Sequence, residues 1–212
     1  MPDSPLFSIL IVCLNARAYV AQALDSVLAQ GETSYEVLII DGASTDGTVD
    51  IVRGYENRFG GRLRWFSEPD DGLYEAMNKG LHAATGYYVV SLGADDRLVP
   101  GALSTVAGTA RSNGWPDIIA GATHVVGAAR EWTQVAQRYG GNPVPKRPPA
   151  VHQSLFARRT AMLEAGGFDT TYRIAADYDQ YLKLLDRGAR EVLIPQVLSE
   201  FRLGGVSSSN TG

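Results

Sequence analysis

Apolar residues run through the first half of the chain in short unbroken stretches, separated by segments where they recur every three or four positions. Residues 7–14, Phe-Ser-Ile-Leu-Ile-Val-Cys-Leu, are of strand length and partly β-branched, which predicts a strand buried on both faces. Over 18–30 the positions Tyr19, Val20, Ala23, Leu24, Val27 and Leu28 make one helical stripe, and Gly31 stops it. Residues 35–40 give a second buried strand. A turn-rich loop follows, in which Ser44, Thr45 and Asp46 are all good N-caps, and then a helix through Ile51, Val52 and Tyr55. A third strand over 63–67 precedes a helix over 72–84 with Leu73, Ala76, Met77, Leu81 and Ala84 on one face. A fourth strand covers 87–92, and Pro100 suits the first position of the next helix.

This β-α-β-α-β-α-β order implies an α/β fold: a doubly wound, mainly parallel sheet with helices on both faces. Ligands of such sheets bind beyond the carboxyl ends of the strands. Those ends carry Asn15, then Asp41, then Glu68, Asp70 and Asp71, then Asp95 with Asp96, so four polar or acidic stations converge on one edge. The second half differs. Residues 117–121 and 123–133 read as strands, expected antiparallel, and 154–157 could extend the sheet. Residues 140–149 hold four prolines and two glycines and read as a mobile loop. Short helices are expected over 160–165 and 177–187, the latter packed through Tyr178, Tyr181, Leu182, Leu184 and Leu185 and stopped by Gly188. Late strands are expected over 192–194 and 197–203. The Gly/Ser/Asn-rich tail, 204–212, reads as flexible and leaves open whether a further segment follows.

Composition narrows the function. The 212 residues fit one domain, and 45% hydrophobic with 20% charged residues is an ordinary globular balance. A net charge of -4 argues against a general nucleic-acid binder, which needs a basic surface. The single cysteine, Cys13, lies in an apolar run and reads as a small buried hydrophobe. Without a disulfide framework the expected setting is the reducing cytoplasm. The first six residues lack the basic start of a signal peptide. No apolar stretch approaches the ~20 residues of a membrane span, so any membrane contact is expected to be peripheral.

Several residues could carry chemistry, each beside a plainer role. Asp95 and Asp96 are adjacent carboxylates after a buried strand, and they repel unless something compensates. A divalent cation would compensate: Mg2+ and Mn2+ take one or two carboxylates together with substrate phosphates and water. The plainer reading is a polar loop with Asp96 capping the next helix. Asp41 could accept from a base N–H, or serve as a turn or capping residue. Asp71 could reach a base or ribose, or be an N-cap. Asn78 is a poor helix former inside a helix, which hints at a role. Asp177 opens a helix, where the dipole keeps a carboxylate ionised; that suits a general base facing a cleft, or an ordinary cap. His152 stands alone after the proline loop and could be merely structural.

Taken in order, these strings resemble the family 2 glycosyltransferases of GT-A type, over about residues 7–201. The family's Pro-Thr-Tyr-Asn-like start appears as Val-Cys-Leu-Asn at 12–15, and its Ala-Leu-x-Ser-Val-Leu-x-Gln helix at 23–30. Its Asp-Asp-Gly-Ser-Thr-Asp-Gly-Thr loop appears as Asp-Gly-Ala-Ser-Thr-Asp-Gly-Thr at 41–48. Glu-x-Asp-x-Gly-x-Tyr-x-Ala-x-Asn-x-Gly appears at 68–80 with one extra turn residue; Asp-x-Asp appears as Gly-Ala-Asp at 93–95, and Glu-Asp as Ala-Asp at 176–177. The resemblance implies a nucleotide-sugar-binding half, about 1–98, and an acceptor-binding half, about 99–212. It implies a nucleotide site at Leu14, Asn15, Asp41, Ser44, Asp71, Asn78 and Asp95, and Mn2+ or Mg2+ on Asp95 with Asp96. Asp177 would be the base in an inverting, metal-dependent transfer.

The strings at 151–154 and 202–207 look like those of bacterial transferases in polysaccharide and glycolipid assembly. They imply His152 near the acceptor, and Arg202 or the serine-rich tail closing over the diphosphate. The donor is expected to be a nucleotide-sugar, a UDP-sugar first, and the acceptor a saccharide or lipid-linked saccharide. Three departures stand out. Val12 and Leu14 replace a proline and a base-stacking aromatic, Gly93 replaces the first metal carboxylate, and Ala176 replaces the glutamate before Asp177. The Gln-x-x-Arg-Trp string of processive synthases is absent, so single-sugar transfer is expected. Rivals are a nucleotidyltransferase, which would carry a Gly-rich Lys/Arg loop after the first strand, and a non-catalytic nucleotide-sugar binder. A dinucleotide binder lacks its Gly-x-Gly-x-x-Gly here.

Overall fold

The structure is a computed structural model, and it describes residues 4–32, 34–138 and 150–204. The expected proline-rich loop over 140–149 and the tail beyond Gly204 lie outside the described residues. Among those described, nine strands form one sheet. The first four, β1 (Phe7–Cys13), β2 (Tyr35–Asp41), β3 (Leu63–Ser67) and β4 (Tyr88–Gly93), run parallel in the order β3-β2-β1-β4. The helices α1 (Val20–Leu28), α2 (Thr48–Phe59) and α3 (Leu73–Ala83) connect them.

Burial explains why β1 is apolar throughout. Its alternate residues Phe7, Ile9, Ile11 and Cys13 face a core shared with α1, α2 and α4 (Ala102–Ser112). Leu10 faces the opposite core, under α3, α5 (Arg159–Glu164) and α6 (Ala176–Asp186). Each such side chain, fully buried, contributes about 1.5–3 kcal/mol. At the amino ends of the strands a buried Glu36 clamps three elements. It accepts from Ser8 Oγ at 2.6 Å, Thr85 N at 2.6 Å and Arg64 at 2.7 Å.

The second half extends the same sheet. β8 (Leu155–Arg158) pairs antiparallel with β4 and with β6 (Ile118–Val126), and β7 (Glu131–Gln134) pairs antiparallel with β6. The expected break at 122 and the two expected late strands are corrected here. β6 runs unbroken through 122 and ends at Val126, so the expected strand over 123–133 is divided between β6 and β7, and β9 (Glu191–Arg202) is one strand parallel to β6. Between pairs Ala120–Leu193 and Ala122–Val197 the extra residues of β9, Pro195 among them, bulge out of the ladder. Gly121 permits this close approach, because a Cβ there would lie 2.5 Å from Leu198 Cγ. A two-residue β5 (Arg97–Leu98) pairs antiparallel with β9. Pro100 is not the first helical residue: Gly101, at φ 79°, is the N-cap, and α4 starts at Ala102.

Candidate active site

Register aligns the carboxyl ends of the parallel strands: Cys13 lies beside Asp41, Asp41 beside Ser67, and Val12 beside Gly93. Asp41 is 1% exposed and accepts from Ser44 N at 2.9 Å, Ser44 Oγ and Ser67 Oγ at 2.6 Å. Ser44 Oγ in turn accepts from Asn15 N at 2.7 Å, and Asn15 Oδ1 accepts from Thr45 N at 3.0 Å. Asp41, Ser44 and Asn15 thus knit the first two strand ends together, the Asp41 carboxylate, the Ser44 hydroxyl and Asn15 Oδ1 all being spent on the loop. The surface of this edge is Leu14, 53% exposed, with Gly42 and Asp70. A Cβ on Gly42 would lie 2.8 Å from Asp70 Oδ2 and 3.4 Å from Leu14 Cδ1. Asp70, expected only as part of the third acidic station, lies beside Leu14, which makes it a candidate to meet a nucleobase. Burial pushes the Cys13 thiol far up, with Asp41 adding to the effect, so it stays a neutral thiol.

After β4 the chain turns tightly, with Asp96 N donating to Gly93 O at 3.1 Å. Asp95 is partly exposed, and among the described residues its carboxylate has no hydrogen-bond or ion-pair partner. Asp96 differs: it is 2% exposed, its Oδ2 accepts from Gln153 Nε2 at 2.7 Å, and its Oδ1 accepts from Arg202 N at 3.0 Å. Burial, and secondarily the charge of Asp95, pushes the Asp96 carboxyl up to about 6 against these hydrogen bonds. It does not cap the next helix. Both carboxylates fold back over Gly93, where a Cβ would lie 2.4 Å from Asp96 Oδ2 and 3.0 Å from Asp95 Oδ1. No group of three or more His, Cys, Asp or Glu among the described residues forms a metal cage. Both Asp96 oxygens are taken by Gln153 and Arg202, so the partly exposed Asp95 carboxylate is the ligand on offer, which suits a hard cation that takes its other ligands from phosphates and water. The residues therefore fit Mn2+ or Mg2+ in that donor-assisted form.

The turn His152–Ser154 is tied in three directions. His152 Nδ1 lies 3.2 Å from Asp177 Oδ2, Gln153 reaches Asp96, and Ser154 Oγ joins Thr123 Oγ1 at 2.7 Å and Ser199 Oγ at 2.6 Å. Asp177 is the second residue of α6, behind Ala175 at φ 75°. Its Oδ1 accepts from Tyr74 OH at 3.2 Å. Burial works to raise its carboxyl, but His152, Tyr178 N and Tyr74 outweigh burial and hold it below the ordinary value. Asp177 is thus an ionised carboxylate at neutral pH, with its side chain 20% exposed. Tyr74 also walls a pocket of about 250 Å³, with Asp71, Thr170, Tyr172 and Arg173 around it.

The remaining candidates lie apart from that pair. Asn78 spends its amide on the Phe168 backbone, Nδ2 donating to O at 2.7 Å and Oδ1 accepting from N at 2.9 Å. It pins the loop before α6 onto α3. Arg202 stacks its guanidinium over Tyr19, 5.9 Å from the ring centre. The sequence assigned no role to Gln153 or Tyr74, with only the polar His-Gln-Ser triplet between Val151 and Leu155 hinting at the first, and Tyr19, expected as a packing position, is 40% exposed under Arg202.

The chain matches Glycosyl transferase family 2 over residues 8–191. The chain belongs to that family. A PGL/p-HBAD biosynthesis glycosyltransferase of Mycobacterium tuberculosis is 30% identical over 209 residues, spanning 97% of this chain and 80% of that protein. A chondroitin synthase of Escherichia coli is 30% identical over 87% of this chain and 27% of its own length. Among solved structures, S. aureus TarS 1-349 in complex with UDP-GlcNAc superposes with a TM-score of 0.76 at 20% identity, over 97% of this chain and 61% of that one. The mannosyltransferase PcManGT from Pyrobaculum calidifontis, in complex with GDP-Man and Mn2+, gives 0.70 at 23% identity, over 98% and 59%. The chain therefore spans less than two thirds of these solved chains. It has the GT-A fold of family 2 and is a glycosyltransferase.

Proposed function

We propose that the protein transfers a single sugar from a nucleotide-sugar to a hydroxyl of a saccharide or lipid-linked saccharide, with inversion and with a divalent cation. One observation carries this reading. Asp95, whose carboxylate has no hydrogen-bond or ion-pair partner among the described residues, is followed by Asp96, and Asp96 and Asp177 both contact the one polar turn His152–Ser154, Asp177 being held by Tyr74 as well. The nucleotide rests at Leu14 and Asp70, over the loop braced by Asn15, Asp41 and Ser44, and its diphosphate reaches Asp95. TarS with UDP-GlcNAc and PcManGT with GDP-Man and Mn2+ support such a donor and such a cation. A UDP-sugar is the first candidate.

In the transfer, Asp177 accepts the proton of the acceptor hydroxyl, as a carboxylate activates the nucleophile in inverting hydrolases. The hydroxyl oxygen bonds to the anomeric carbon from the face opposite the diphosphate. The anomeric carbon–oxygen bond to the diphosphate breaks, and the nucleoside diphosphate departs with that electron pair. A bound cation supplies charge neutralisation for the departing diphosphate. The pocket between Tyr74 and Arg173, with an aromatic ring, a carboxylate and a guanidinium, suits the acceptor. No helix among the described residues is long and apolar enough to cross a membrane. Peripheral contact with a lipid-linked acceptor, on the cytoplasmic side, is part of the proposal. The test is a thermal-shift screen of nucleoside diphosphates and nucleotide-sugars with and without Mn2+. A shift with one base that needs the cation and is lost in Asp95→Ala is expected. No shift with any nucleotide would overturn the reading.

A further inference from the structure

The two carboxylate stations are joined through a buried link that neither role explains. Asp95 is bonded to Asp96, Asp96 accepts from Gln153 at 2.7 Å, Gln153 is bonded to His152, and His152 contacts Asp177 at 3.2 Å. Asp96 and Gln153 are each 2% exposed, so water cannot replace their hydrogen bond. A carboxylate is a costly group to bury for support alone, when an apolar contact could hold two turns together. What a buried carboxylate adds is direction. One oxygen is fixed by Arg202 N at 3.0 Å, the other by Gln153, and the turn Gly93–Asp96 is closed behind it by its own 3.1 Å backbone bond. The other neighbours of Gln153 are equally committed, since Ser154 is locked by Thr123, Ser199 and Ala122 O. Among the described residues, the Asp96–Gln153 bond is the side-chain hydrogen bond that ties the β4 turn to the turn bearing His152.

Resting on the proposed function, we infer that Asp96 is a positioning residue and not a cation ligand. Its bond from Gln153 sets the spacing between Asp95, on the donor side, and the His152–Asp177 pair, on the acceptor side. Rate depends on such spacing far more than affinity does, because a small misplacement of reacting groups is costly while each group still binds its own partner.

The test exchanges the partners. Gln153→Met removes the hydrogen bond without adding charge. Gln153→Glu opposes two buried carboxylates. Asp96→Asn with Gln153→Glu rebuilds the bond in reverse: the new amide nitrogen donates to position 153, and its oxygen still accepts from Arg202 N. Nucleotide-sugar turnover at saturating donor is measured well below each melting temperature, and Mn2+-dependent donor affinity is measured by calorimetry. Q153M and Q153E are expected to lose about tenfold or more in kcat with donor affinity within about threefold of wild type. The double variant is expected to recover kcat to within about threefold. Three results would overturn the inference: D96N/Q153E staying as slow as Q153E, Mn2+-dependent donor binding lost in D96N, or a lowered melting temperature in Q153M with kcat unchanged. Wild type that turns over no nucleotide-sugar would instead sink the proposed function, and calorimetry of the same variants separates the two failures.

Discussion

Asp177→Asn tests the proposed base with little disturbance to the fold. The carboxylate accepts from Tyr74 OH and sits 3.2 Å from His152 Nδ1. A carboxamide has the same shape. Its oxygen can accept from Tyr74, and its nitrogen can donate to an unprotonated His152 Nδ1. Stability should therefore change by about 1 kcal/mol or less, which for a chain of this size is about 2–4 °C in Tm. What disappears is a site for the acceptor proton. General-base catalysis is worth about 10²–10⁴ in rate, or about 3–5 kcal/mol of transition-state stabilisation. The assay is release of nucleoside diphosphate from the donor that stabilises the protein, with water or a saccharide as acceptor, beside the donor affinity. The expected result is a fall of at least about a hundredfold in kcat at unchanged donor affinity. His152→Gln, which removes one of the groups that orient and ionise Asp177 and leaves Tyr74 in place, should cost about tenfold. D177N within about fivefold of wild type, or H152Q slower than D177N, would refute Asp177 as the base.

Two further predictions concern stability. Burial works to raise the Glu36 carboxyl, but bonds from Ser8, Thr85 and Arg64 outweigh it, and the group lies below its ordinary value of 4.5. Its contribution is thus present above that value and lost as pH falls through the lower folded value; chemical denaturation from pH 7 to 3 should show this acid loss, flattened in Glu36→Gln, which itself costs about 2 kcal/mol at pH 7. Ala43 sits at φ 62°, a left-handed conformation that strains alanine. Ala43→Gly should relieve about 1–2 kcal/mol at a cost of about 0.4–1 from the freer unfolded chain, raising Tm by roughly 1–3 °C in scanning calorimetry.

Local patterning carried most of the fold. Phe7, Ile9 and Ile11 against one core, and Leu10 against the other, demanded a strand with helices on both faces, and the β-α order then placed Asn15, Asp41, Asp71 and Asp95 at one edge. Long-range pairing was less legible. Nothing local says that a strand carrying Pro195 continues through a bulge, or that β6 and β9 run parallel, because that depends on where α6 returns the chain. Side-chain partners across long separations were the least legible. Asp41 stands at a strand end like a ligand-binding group, yet the hydroxyls of Ser44 and Ser67 claim it inside the protein. Asn78 has the composition of a site residue and is spent on Phe168, 90 residues away. Asp95 and Asp96 are indistinguishable as letters; only burial separates the free carboxylate from the one bound to Gln153.

The central claim is that donor chemistry runs through a cation held by Asp95. Its most direct measurement is the rate at which the wild type and Asp95→Ala consume the nucleotide-sugar in Mn2+ and in excess EDTA. The account predicts turnover by the wild type in Mn2+, abolished by EDTA and restored by added Mn2+, and turnover reduced by at least about a hundredfold in D95A at unchanged Tm. Equal rates in Mn2+ and EDTA, or a D95A variant as fast as the wild type, would contradict it.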